Sequence, residues 1–135
     1  MMLDHVSIGV ADLGKARAFY DSVLGTLGYS LVYTVDIPGE GVVAHGYGAT
    51  KEKPDFWIGV PDHLDAKANT TGGAHLAFVA KARKDVDAFH AAALKMGGKD
   101  NGKPGLRPHY HENYYGAFAF DPDGNKIEAC SHHPE

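Results

Sequence analysis

The chain has 135 residues, 44% hydrophobic and 22% charged, a balance that fits a folded globular protein and excludes a disordered or fibrous one. Its formal charge of -4 is mild and its thirteen Lys and Arg residues are scattered without a basic stripe, so no nucleic-acid partner is expected. No apolar run approaches the roughly 20 residues that cross a bilayer, Asp4 sits where a signal peptide would be basic and then apolar, and the single cysteine, Cys130, cannot form an internal disulfide; a cytoplasmic protein without a membrane partner is expected.

In chain order, Leu3 to Val10 alternates with the period of a strand, with Val6, Ile8 and Val10 on one face and His5, Ser7 and Gly9 on the other. Asp12 is placed as a helix N-cap, after which Ala16, Phe19, Tyr20, Val23, Leu24 and Leu27 recur at helical spacing until Gly25 and Gly28 offer a stop. Three strands are predicted next, at Tyr29–Asp36, Gly41–Tyr47 and Asp55–Val60, separated by the turn signals Pro38-Gly39 and Lys53-Pro54. The polar stretch Pro61–Gly73 reads as a linker, and the sequon at Asn69–Thr71 within it as accidental.

The second half repeats this order. An offset of 70 positions, which brings His5 onto His75, also brings Ala18 and Phe19 onto Ala88 and Phe89, Leu24 onto Leu94, and Gly28 onto Gly98. A strand at Ala74–Ala80 and a helix from Ala82 to Met96, ended by Gly97-Gly98, are followed by strands at Tyr114–Phe120 and Lys126–Ser131 around the dense turn signal Asp121 to Asn125. Lys99–Asn113, rich in Gly, Pro and His, reads as a weak strand running into a loop.

Strand parity selects the chemistry-bearing residues among nine histidines. Bulky Leu76 and Phe78 point one way and His75 the other, beside Ala77; His5 likewise lies beside Ser7 and Gly9; Glu128 lies opposite Ile127 and Ala129, on a face with Lys126 and Cys130. The bulky faces are expected under the helices and the small-residue faces around a cavity. Any of these residues alone is ordinarily a hydrogen-bonded core histidine or a solvated carboxylate. Two imidazoles at matching repeat positions plus one carboxylate make instead a set that holds a divalent ion and leaves positions open.

The opening Leu3-Asp4-His5-Val6-Ser7-Ile8, the helix from Ala11-Asp12 to Phe19-Tyr20, the run Gly73-Ala74-His75-Leu76-Ala77-Phe78 and the closing stretch from Phe120 through Asp121-Pro122-Asp123-Gly124-Asn125 to Ile127-Glu128 together resemble the vicinal-oxygen-chelate superfamily of glyoxalase I, bleomycin-resistance proteins, fosfomycin-resistance transferases and extradiol dioxygenases. The resemblance spans essentially the whole chain. It implies an α+β fold in one domain, 1–135, of two βαβββ modules (1–62 and 72–135) forming a curled eight-stranded mixed sheet around a metal cavity, a homodimer, and one divalent metal (Fe, Mn, Ni or Zn) on His5, His75 and Glu128. The pattern departs at the fourth predicted strand, where glyoxalase I members supply a carboxylate and this chain has Trp57 on the inward face.

The cluster Arg107, His109, His111, Tyr114 and Tyr115 precedes the seventh strand, where loops of this fold approach the cavity rim. Tyr115, His109 and His111 are the catalytic candidates, Tyr115 foremost because it shares parity with Ala117 and Ala119; Arg107, Tyr114, His45 and Trp57 are assigned to substrate binding. His90, His132 and His133 are given no role. The implied function is a metal-dependent enzyme acting on a small substrate chelated through two neighbouring oxygens, of lyase, isomerase or transferase type. The alternatives are an Fe(II) extradiol-type dioxygenase and a metal-free protein that sequesters a drug-like molecule.

Overall fold

Strand, helix and three more strands follow one another twice in the computed structural model, which describes residues 2–60 and 73–135. The first round is β1 (Val6–Gly9), α1 (Leu13–Gly25), β2 (Ser30–Ile37), β3 (Gly41–Gly48) and β4 (Phe56–Gly59). The second is β5 (Leu76–Val79), α2 (Arg83–Lys95), β6 (Lys99–Leu106), β7 (Tyr115–Phe120) and β8 (Lys126–Ser131). The two expected βαβββ units are therefore present. The linker and the sequon read from the sequence fall within 61–72, outside the described residues, apart from Gly73.

Local chemistry sets the element ends. Asp12 has extended backbone and its carboxylate accepts from the Lys15 N–H at 3.0 Å, the N-cap expected from sequence. Ala82 caps α2 with no side-chain bond, leaving Asp85 in the first turn to oppose the exposed N–H groups. After α2 the chain reverses through Gly97, whose φ of 95° suits a residue without a Cβ. The weak strand read after Lys99 is an eight-residue β6, and breaks in its register between Asp100 and Gly102 and between Gly102 and Gly105 hide the alternation in sequence.

The strands form two four-stranded mixed sheets, ordered β1-β4-β3-β2 and β5-β8-β7-β6, with β1 parallel to β4 and β5 parallel to β8. One helix covers each sheet, and the two helices pack together. Phe19, Tyr20 and Val23 of α1 and Val86, Phe89 and Ala93 of α2 are all fully buried. A run of rings crosses between the modules: Tyr20 to Phe56 at 5.1 Å, Phe56 to Phe78 at 5.2 Å and Phe78 to Phe89 at 6.4 Å between centroids. Polar bonds bind the same seam. The Tyr20 hydroxyl donates to Asp121 Oδ2 at 2.6 Å, and the Ala11 N–H to Asp123 Oδ1 at 3.0 Å. The modules thus join through their helix-bearing sides, leaving His5, Ser7 and Trp57 on the opposite face of one sheet and His75, Phe118 and Glu128 on that of the other. No helix among the described residues is long and apolar enough to cross a membrane.

Candidate functional site

The β7–β8 ladder sets Phe118 opposite Glu128, while the β5–β8 ladder sets Ala77 opposite the same Glu128. Because Ile127 and Ala129 are fully buried beneath α2, Glu128 points to the other face, where His75 stands just before β5. His75 Nε2 meets Glu128 Oε1 at 2.8 Å. The second carboxylate oxygen, Oε2, accepts a short hydrogen bond from the Tyr114 hydroxyl. Space for this comes from Gly116, at which a Cβ would stand 3.2 Å from both Glu128 Oε2 and Tyr114 Cε1. Glu128 is only 2% exposed, so these two donors replace its hydration. Burial, and then the bond to Glu128, pushes the Tyr114 phenol well above its ordinary value, which keeps it protonated and donating.

His5 is elsewhere. Its Nδ1 meets Asp4 Oδ1 at 2.7 Å, its side chain is 52% exposed, and Lys53 Nζ stands 3.7 Å from the other carboxylate oxygen of Asp4. His5 and His75 both line a groove of about 580 Å³ where the starts of β1 and β5 approach, but His5 does not join the His75–Glu128 pair. Among the described residues no three His, Cys, Asp or Glu side chains gather closely enough to hold a metal ion. The convergence of all three expected ligands is therefore not made within one chain.

Trp57 takes the place in the first module that Glu128 takes in the second. Trp57 pairs with Ser7 two positions after His5, as Glu128 pairs with Ala77 two positions after His75. Its indole lies over Gly46, where a Cβ would come within 3.0 Å of it, and packs edge-on against Tyr33 at 6.0 Å. An aromatic wall thus stands where a fourth, carboxylate ligand would be.

Two site residues read from sequence face the helices instead. Tyr115 donates to Asp87 Oδ1 of α2 at 2.6 Å and lies under Arg83, whose guanidinium carbon is 5.4 Å from its ring centre. The expectation that small residues mark the cavity face fails on β7, where fully buried Ala117 and Ala119 lie under α2 and let it approach. His45 shares a face with Tyr47, which bonds Asp21 of α1 at 2.8 Å; it is 5% exposed and bonded to Thr34 at 2.9 Å. Burial, followed by the Arg17 charge, pushes the His45 imidazole below its ordinary value. It lines no wall of the open face.

The remaining candidates lie on or beside that face. Arg107 projects over the Phe118 ring with its guanidinium carbon 5.6 Å from the centre. His109 packs on Tyr110 at 4.3 Å, and Tyr110 on Tyr114 at 4.9 Å. His111 Nε2 meets His132 Nδ1 at 2.5 Å, and both rings flank Tyr114. His132 was missed in the sequence because it follows the last strand, although the parity of Glu128 and Cys130 continues to it. Cys130 is 4.0 Å from His132 Nε2 and its thiol is pushed up by burial, hence protonated and unreactive. His90, on the buried side of α2 and bonded to Asp100 of β6 at 2.9 Å, is structural.

The sequence matches the profile described as Glyoxalase/Bleomycin resistance protein/Dioxygenase superfamily over residues 2–129. The crystal structure of a glyoxalase/bleomycin resistance protein from Albidiferax ferrireducens T118 is 34% identical, with a TM-score of 0.80 over 97% of this chain and 99% of that one. A putative glyoxalase from Bacillus halodurans is 27% identical, with a TM-score of 0.65 over 96% and 95% of the two chains. Glyoxalase I from Zea mays shares the fold, at 24% identity and a TM-score of 0.72 over 96% of this chain and 45% of that chain. No curated protein matches the sequence.

Proposed function

We propose that this chain, which belongs to the Glyoxalase/Bleomycin resistance protein/Dioxygenase superfamily, is a homodimeric, divalent-metal-dependent enzyme acting on a small substrate through two neighbouring oxygens, with lyase, isomerase or transferase chemistry. The observation that carries this reading is the meeting of His75 Nε2 and Glu128 Oε1 at 2.8 Å on the face turned away from the helices. The described residues of one chain alone do not fit the ion, because they bring together two donors where three are needed. Two copies fit. In this reading His5, half exposed near the start of sheet-edge strand β1, is supplied by a second copy to the His75–Glu128 pair of the first. Two imidazole nitrogens and one carboxylate oxygen suit Zn, Mn, Ni or Fe. When bound, the ion polarises a substrate oxygen and stabilises negative charge developing there.

The chain's own groups define the rest. Tyr114 fixes Oε2 of Glu128 and thereby the direction of Oε1. Trp57 and Tyr33 offer a flat apolar wall, and the indole in place of a fourth ligand keeps one more position open than in a four-ligand site. Elemental analysis of untagged protein tests the proposal: about one equivalent of divalent metal per chain is expected, falling below about a tenth in His5→Ala, His75→Ala and Glu128→Ala while the circular dichroism of each stays unchanged.

A second reading has its own support. Glu128 is buried and both its oxygens already have hydrogen-bond partners, so the carboxylate is satisfied without an ion, as a metal-free protein that sequesters a drug-like molecule would require. Wild-type protein holding less than about a tenth of an equivalent, unchanged after incubation with Zn, Mn, Ni and ferrous iron, would favour that reading.

A further inference from the structure

Arg107 is a cation fixed in place, and among the described residues no carboxylate neutralises it. The side chain is half-buried and folds back over β6, where Nη1 donates to the Gly105 carbonyl at 2.8 Å and Nη2 to the Lys103 carbonyl at 2.7 Å. These bonds hold the guanidinium without exhausting its N–H donors or cancelling its charge. Among the described residues no Asp or Glu forms an ion pair with it. Withdrawing a charge from water without a counter-ion is unfavourable, and a rigid fork held in that state is prepared for an anion that arrives later.

Its position says which anion. Gly102, with a φ of 151°, has no Cβ where one would stand 3.0 Å from the Phe118 ring and 3.4 Å from Arg107 Nη2, so the guanidinium can settle beside that ring. Around the centre of the Phe118 ring lie the Arg107 guanidinium carbon at 5.6 Å, Lys126 Nζ at 5.2 Å and the His75 ring centre at 5.7 Å. Phe118 is the direct cross-strand neighbour of Glu128. One phenyl ring therefore separates the His75–Glu128 pair from Arg107, on the same face of the same sheet.

We infer that Arg107 is an oxyanion seat, assisted by Lys126 across the Phe118 ring, and that the substrate carries a carboxylate or phosphate group in addition to the oxygens presented to His75 and Glu128. A planar fork pairs with two oxygens of such a group at once, which a point charge does not. The inference rests on the proposed substrate face and names the class of molecule that binds it: a small organic acid with one anionic end on Arg107 and its reacting end at His75–Glu128. It does not depend on the metal. The seat lies on the chain that supplies His75 and Glu128, so it persists whether or not an ion is bound.

The test is calorimetric titration of malonate and of inorganic phosphate into EDTA-dialysed protein and, separately, into zinc-loaded protein, with Arg107→Gln and Lys126→Gln alongside. Saturable binding of at least one probe to the EDTA-dialysed wild type is expected, weakened at least tenfold in Arg107→Gln and less in Lys126→Gln; the preferred probe tells a carboxylate seat from a phosphate seat. Equal affinity in Arg107→Gln, or no binding of either probe to the wild type, would overturn the inference. Should Arg107→Gln not fold, phenylglyoxal labelling of the wild type followed by mass spectrometry decides the matter. The preferred anion should slow modification of Arg107 at least fivefold while leaving Arg17 and Arg83 unchanged, and equal protection of all three would refute the seat. Failure of the metal proposal appears differently, as absence of zinc with anion binding intact.

Discussion

Tyr114→Phe removes a single oxygen atom from the centre of the site. That hydroxyl is the donor to Glu128 Oε2, and the carboxylate is 2% exposed with His75 as its other partner. A hydrogen bond to a charged group contributes about 1.5–3 kcal/mol, and water cannot readily replace the donor because Gly116, Tyr114 and Glu128 are packed to within a Cβ's contact distance. For a domain of this size that loss lowers the melting temperature by roughly 5–12 °C. The phenol is pushed far above its ordinary value, so the deficit should be constant through neutral pH. If the site holds metal, freeing Oε2 should also weaken the ion's binding about 10- to 100-fold, read by competition with a chromophoric chelator. Urea and thermal unfolding of the two proteins, with the chelator titration on each, check both effects. A variant indistinguishable from wild type in stability and in metal affinity would refute the claim that Tyr114 orients Glu128.

Other consequences concern the frame of the site. Tyr20→Phe removes the donor to Asp121 Oδ2 across the seam between the modules, where Asp121 is 3% exposed; a loss of about 1.5–3 kcal/mol with an unchanged m-value is expected in urea unfolding. The folded state holds the His45 imidazole below its ordinary value of 6.5, so the unfolded chain takes up that proton first and stability falls as the pH drops below about 6.5 towards the folded value. His45→Gln should therefore lose less stability than wild type between pH 7.5 and pH 5.5, measured as urea midpoints; equal or greater losses would contradict the assigned burial effect.

Much of the fold was legible because the repeat and the strand period are backbone properties that survive in sequence. Asp12 as a cap, β8 at Lys126–Ser131 and the turn at Asp121–Asn125 follow from local chemistry, whereas the matching places of Trp57 opposite Ser7 and of Glu128 opposite Ala77 do not follow from the 70-residue offset, which carries Trp57 onto Ile127. Parity also gave the correct face for His75, Glu128 and Trp57. It misdirected Tyr115 and His45, because a helix packs closely on small residues just as a cavity is lined by them, and Ala117 and Ala119 lie under α2. Parity says which face a residue takes but not which sheets face each other. The seam formed by Tyr20, Phe56, Phe78 and Asp121 joins the modules by their helix-bearing sides, a three-dimensional fact that separates His5 from His75–Glu128 and that no local pattern encodes. Phe118 went unmarked for a related reason: its importance comes from Arg107, Lys126 and His75 gathering around its ring.

The central claim is that His5 of one copy completes the His75–Glu128 pair of another, and mixing defective subunits tests it most directly. His5→Ala and His75→Ala should each bind no metal alone. Co-refolded in equal amounts, they should regain about a quarter of the wild-type metal content, because half of the resulting dimers pair unlike chains and each of these rebuilds one of two sites. A mixture that stays empty while wild type is loaded, or a His5→Ala protein that keeps its full metal content, would contradict the shared site.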